Sequence, residues 1–186
     1  MRPAWAIRFT TICAALAIGA LTPQAGRAEI KYPIKLAVFD FELDDFSAGG
    51  PIAGESPAET ARLRAATLQA RRLLAESGLF EIVDVSGAQD EEVKTHWLRK
   101  CNGCDAAIAK RLGADMSLVG VYRKVSIMEQ NLNMLIRDAA TGEVMKATQA
   151  DLRGETDESW SRALAWMLKH RIVEPELARI KAKEAR

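Results

Sequence analysis

The residues best suited to chemistry lie in two short stretches. The first is Cys101-Asn102-Gly103-Cys104, with His96 five residues ahead and Asp105 directly behind. A thiol at a helix amino terminus is favoured as thiolate by the helix dipole, so a CxxC pair in that position can do redox work. The surroundings argue against a thioredoxin-like enzyme: the preceding segment reads as helix rather than strand, and Trp97 stands four residues before the pair instead of beside it. The competing reading is a local disulfide that pins a helix entry, worth about 2 kcal/mol for so short a loop. Haem attachment needs histidine directly after the second cysteine, and position 105 is aspartate. His96, Cys101 and Cys104, with Asp105 as a fourth group, are the weak candidates for zinc or copper. A single cysteine pair with one nearby histidine falls short of the usual closed ligand set, so no metal and no other cofactor is assigned.

The second stretch is acidic. Asp40, Glu42, Asp44 and Asp45 follow the apolar run that begins at Ile34, at the carboxyl end of a predicted strand, where open α/β sheets commonly hold ligands. Their spacing imitates a calcium loop but lacks its glycine, and Pro51 stands where the bidentate glutamate belongs. With no partner nucleophile in view, the four carboxylates read as a solvated binding rim. His96 and His170 are the two histidines, and neither sits in a nucleophile motif. The chain has no phosphate-cradling glycine loop of the required pattern. These residues lean away from an enzyme.

The elements that must position them follow from periodicity and punctuation. Ile34 to Phe41 is apolar on both faces, as a buried central strand reads. Glu42 to Ser56 carries Asp44-Asp45, Gly49-Gly50-Pro51 and Gly54, which is loop chemistry. Ser56-Pro57-Ala58-Glu59 combines an N-cap serine, a first-turn proline and a capping glutamate. The helix it opens buries Leu63, Ala66, Ala70, Leu73 and Leu74, turns Arg64 and Arg71 to water, and stops at Ser77-Gly78. Leu79 to Val85 is a second strand, parallel to the first through a right-handed crossover. Asp90 to Lys100 is a short helix carrying Val93 and Trp97 inward, and Asp105 caps another through Leu112.

Ala114 to Val125 is the strongest strand. In the next, Leu132, Met134 and Ile136 alternate with Asn131, Asn133 and Arg137, which predicts one wetter face. A turn at Asp138 to Gly142 leads into an edge strand, Glu143 to Leu152. Thr156-Asp157-Glu158 opens the last long helix, with Trp160 plugged into the core and His170 near its negative end. The order β-α-β-α-α-β-β-β-α predicts an α/β fold with one five-stranded mixed sheet, order 2-1-3-4-5, the first three strands parallel and the last two antiparallel.

Composition sets the address. Arg2 and Arg8 precede an apolar run from Ile12 to Leu21, and Gly26 and Ala28 supply a cleavage site, the pattern of a secretory signal peptide ending at residue 28. Residues 29–172 then form one domain and 173–186 a charged tail. Cleavage would remove three basic residues, Arg2, Arg8 and Arg27, leaving 23 basic against 25 acidic groups, so nothing draws the chain to nucleic acid or an anionic membrane. The expected location is the periplasm, where a disulfide persists.

Four segments carry a resemblance: LAVFDFELDD, CNGCDAAIAKRLGAD, IRDAATGEV and LRGETDESW. In combination they resemble a family of secreted bacterial proteins known as a domain of unknown function. Some relatives are encoded near periplasmic quinoprotein alcohol dehydrogenases, which implies a partner. More distantly, the first strand ending in DFE, the strand GLFEIVDV and the segment LGADMSLVGV are similar to the curli-secretion-protein and penicillin-binding-protein-activator families and to the amino-terminal domain of TolB. Those families are envelope binding modules; this chain differs in lacking a lipid anchor and in adding the CxxC. The resemblance implies a non-enzymatic periplasmic adaptor for an envelope protein, with the acidic loop or the edge strand as its contact. The alternative is a thiol-disulfide or metal-handling protein acting through Cys101 and Cys104.

Overall fold

The computed structural model describes residues 31–185; the signal-peptide reading lies outside them. One sheet organises the chain. Its strands are β1 (Ile34–Val38), β2 (Glu42–Asp45), β3 (Phe80–Val83), β4 (Met116–Lys124), β5 (Gln130–Asp138) and β6 (Val144–Leu152), in the order β3-β1-β4-β5-β6 with β2 paired to β4. β1 runs parallel to β3 and β4, and the β4-β5-β6 meander is antiparallel. The architecture is the predicted mixed α/β sheet with one strand more.

That added strand corrects the loop expected from Glu42. β1 and β2 both pair with β4, Val38 opposite Leu118 and Glu42 opposite Val121. Four steps along one strand thus match three along the other, so one extra residue is accommodated as a bulge. The bulge reverses the alternation of side chains. Before it, Leu36 and Val38 face the larger core; after it, Phe41 and Leu43 do, while Phe39 joins the smaller core on the opposite face. Gly120 makes room: a Cβ there would lie 2.5 Å from the Phe41 ring.

The larger core lies under α2 (Pro57–Glu76) and α5 (Asp157–Met167). Ser56 and Glu59 form the expected capping box on α2, and Thr156 accepts from the backbone of Ser159 to cap α5. Trp160 is buried as expected, stacked on Tyr122 at 3.8 Å between ring centres, and its indole N–H donates to Gln130 Oε1 at 2.8 Å. Burial of the Tyr122 hydroxyl pushes its pKa up.

α2, β4 and the turn before α5 are tied together by charge. Lys124 Nζ contacts Glu59 Oε1 at 2.6 Å and Glu155 Oε2 at 3.0 Å, and Arg62 bridges Glu155 to Asp157. Burial of Glu59 acts to raise its pKa. The hydrogen bonds from Lys124 and from the Ser56 backbone and hydroxyl outweigh it and bring the carboxyl to about 2.

The smaller core lies on the other face, under α4 (Cys104–Arg111) and the segment before it, which contains the single turn α3 (Glu91–Lys94). Three expectations are corrected here. The helix at 91 ends within one turn, so Leu98 is the buried residue and Trp97 is 47% exposed. Trp97 lies instead beneath Arg99 and Lys100. Asp105 does not cap α4; Gly103 holds the cap position with a positive φ, and Asp105 is buried, accepting a 2.6 Å hydrogen bond from Ser117. Arg71, expected in water, folds back to donate to the Val38 carbonyl and to Asp40.

A short helix, α1 (Gly50–Ala53), interrupts the loop before α2. After α5 the chain winds through a π-helical segment, Leu168–Val173, into α6 (Glu174–Glu184). Tyr32 donates to Glu176 and accepts from Arg179, which fastens α6 to the start of the sheet. No helix among the described residues is long and apolar enough to cross a membrane.

Candidate functional site

α4 and the residues leading to it cover β1 and β4 on their face of the sheet, leaving the floor of β5 and β6 open beyond them. The result is a cleft of about 620 Å³. Its floor is the wetter face predicted from the alternation on β5: Val121, Asn133, Leu135 and Gln149 line it. Arg99, Lys100, Arg123 and Arg137 stand around it.

The structure distributes the acidic stretch among separate tasks. Asp40 is exposed and pairs with Arg71 at 2.9 Å. Glu42 is 1% exposed, accepting from the backbone N–H groups of Leu98 at 2.7 Å and Arg99 at 3.2 Å and from Arg99 Nη1 at 2.9 Å. Buried carboxylates persist only when so paired. Asp44 borders the cleft, with Arg123 at 3.3 Å, Arg99 at 3.5 Å and Lys100 at 3.9 Å. Asp45 accepts from the Ser47 backbone and lies 3.8 Å from Lys124. The four therefore do not act as one solvated rim.

Cys101 and Cys104 are joined as a disulfide, Cα atoms 5.7 Å apart, and pack partly buried against the smaller core. The bridge closes the turn that delivers Arg99 and Lys100 to one wall of the cleft and Asp105 to its base. His96 sits in the preceding loop with a positive φ of 54°, its carbonyl facing Arg99 Nη1 at 2.5 Å. Among the described residues, no three histidine, cysteine or acidic side chains gather as a metal would require. His170 pairs with Glu174 at 2.8 Å, away from the cleft.

The cleft's electrostatics favour an anion. Glu42, Asp44 and Asp105 oppose Arg99, Lys100, Arg123 and Arg137, which leaves one positive charge in excess. The Nε atoms of Arg99 and Arg137 are buried and make no hydrogen bond. Each only approaches a carboxylate, Asp44 or Asp105, at 3.5 Å. Buried donors without acceptors are rare and costly. Each of the cleft's carboxylates is paired with a cation, and Asp105 also accepts from the Ser117 hydroxyl at 2.6 Å. The arrangement can bind and orient an anionic group.

The sequence reading missed all four cations. Arg137 and Arg123 lie at the ends of predicted strands, where the outward face carried a visible polar signal. Arg99 and Lys100 lie at the end of a stretch expected to be helical, and the helix stops at Lys94 before reaching them.

The fold has distant likenesses among solved structures. The LpoB C-terminal domain from Escherichia coli aligns with a TM-score of 0.47 at 17% identity, covering 69% of this chain and 88% of that one. PelC from Paraburkholderia phytofirmans aligns at 0.46 and 14% identity, over 73% and 84% of the two chains. TolB from Acinetobacter baumannii aligns at 0.46 and 9% identity, over 77% of this chain and 30% of its own. No curated protein matches the chain. Residues 34–172 span every strand of the sheet and the cleft, and they match one sequence family throughout: the chain belongs to DUF3280, described as a protein of unknown function (DUF2380).

Proposed function

We propose that this chain is a non-catalytic accessory protein of the bacterial envelope that binds an acidic segment of a partner protein in the cleft over β5 and β6. The observation that carries the reading is the pair of guanidinium groups, Arg99 and Arg137, whose buried Nε donors lack acceptors beside two further cations. Charge complementarity of this kind steers association and selects partners. The amino-terminal pattern of Arg2, Arg8 and the apolar run supports the periplasm as the site of action. Within it, the family resemblance suggests a quinoprotein alcohol dehydrogenase as the partner to test first.

The experiment uses a glutamate-rich peptide and its glutamine counterpart as probes, titrated into the mature chain and into the Lys100→Glu, Arg123→Glu double variant. Both substituted side chains are about half exposed, so the variant should fold. The reading expects the glutamate peptide to bind with a steep salt dependence, and the variant to lose about tenfold or more in affinity. Equal binding of the glutamine peptide, or undiminished binding by the variant, overturns it.

A further inference from the structure

A second opening lies on the opposite face of the sheet, beneath α6. It encloses about 370 Å³, within the range of small-molecule sites. Its walls are apolar: Ile34, Phe80, Met116, Ile136 and Ile172 line it. Its rim is cationic, with Lys146, Arg171 and Arg179. Arg179 is neutralised by Glu176 at 2.6 Å. Among the described residues, Lys146 and Arg171 have no carboxylate within ion-pair distance; Arg171 instead lies over the Trp166 ring at 5.2 Å.

The backbone points to the same place. The π-helical turn Leu168–Val173 carries both Arg171 and Ile172, which line the groove. Such turns are rare and concentrate at functional sites, because the added residue re-aims side chains. An apolar trough whose mouth carries three cations, Lys146, Arg171 and Arg179, against the one carboxylate of Glu176 matches one kind of ligand, an aliphatic chain ending in an anion.

We propose that the groove beneath α6 binds a single-chain aliphatic carboxylate, its chain along Ile34, Phe80, Met116 and Ile136 and its head between Lys146 and Arg171. The site shares no residue with the cleft and stands independently of the acidic-segment reading. Charge-assisted hydrogen bonds orient the head, and the buried chain supplies most of the affinity.

The test titrates the mature chain with dodecanoate below its micelle concentration, followed by calorimetry and by tryptophan fluorescence. Dodecanol and dodecyltrimethylammonium serve as comparators. Saturable binding of dodecanoate is expected, with a fluorescence change that disappears in Trp166→Phe because Arg171 leaves the ring. In the Lys146→Gln, Arg171→Gln variant, calorimetric affinity for dodecanoate should fall about tenfold or more, while affinity for dodecanol stays unchanged. Absence of saturable dodecanoate heat overturns the proposal. So does equal affinity for dodecyltrimethylammonium, or equal affinity of parent and double variant for dodecanoate.

Discussion

Glu59→Gln separates the charge of the buried Glu59–Lys124 pair from its shape. Glutamine retains an oxygen for the Ser56 backbone N–H, so the cap geometry survives, and Lys124 keeps Glu155 at 3.0 Å. What is lost is the carboxylate held at about 2 against an ordinary 4.5. A gap of about two and a half units corresponds to about 3 kcal/mol. Because the folded-state pKa is depressed, that stability is fully present above pH 4.5 and is lost as pH falls through about 2. Linkage reduces it to about half by pH 3. Urea unfolding of parent and variant at pH 7 and pH 3 measures both ends. The variant should be weaker by about 2–3 kcal/mol at pH 7, and the difference should shrink by about half at pH 3. A variant as stable as the parent at pH 7, or a difference that does not change with pH, refutes the charge-based account of this contact.

Two further perturbations address the frame of the sites. Replacing Cys101 and Cys104 with serine should lower stability by about 2 kcal/mol while leaving acidic-peptide affinity within about twofold, and redox titration of the parent should place the bridge below about −300 mV; a higher potential with lost function in stably folded variant would favour thiol chemistry. Gly120→Ala drives a methyl into the Phe41 ring, 2.5 Å away, and should cost about 1–3 kcal/mol by overpacking. Calorimetric melting should show this loss partly recovered in Gly120→Ala, Phe41→Leu, and no recovery would mean the bulge is not packed as described.

The strand order, the parallel and antiparallel assignments and the capping box on α2 were legible because each rests on local punctuation: Ser56 to Glu59, Ser77-Gly78, Asp138 to Gly142. The bulge between Val38 and Glu42 was not. Phe39 and Phe41 carry the same spacing whether they share a face or split across the sheet, and only Gly120, about 80 positions away in the chain, permits the split. The cleft was half legible. Asn131, Asn133 and Arg137 announced a polar face on β5, but nothing local told that Glu42 would draw Leu98 and Arg99 across 56 and 57 positions and turn Trp97 outward. A charged residue in a short acidic run looks solvated until its distant partner is known.

β4 has a consequence for how the molecule could be used. Val119, Val121 and Arg123 line the cleft on one face, and Met116 lines the groove on the other, near the opposite end of the same nine-residue strand. Such a strand is about 30 Å long and is held from both sides by hydrogen bonds. The two openings therefore point in opposite directions at a fixed separation, and filling one leaves the other unobstructed. If both proposals hold, one nine-residue strand would carry the two bound molecules on its opposite faces, and occupancy of one site would not compete with occupancy of the other.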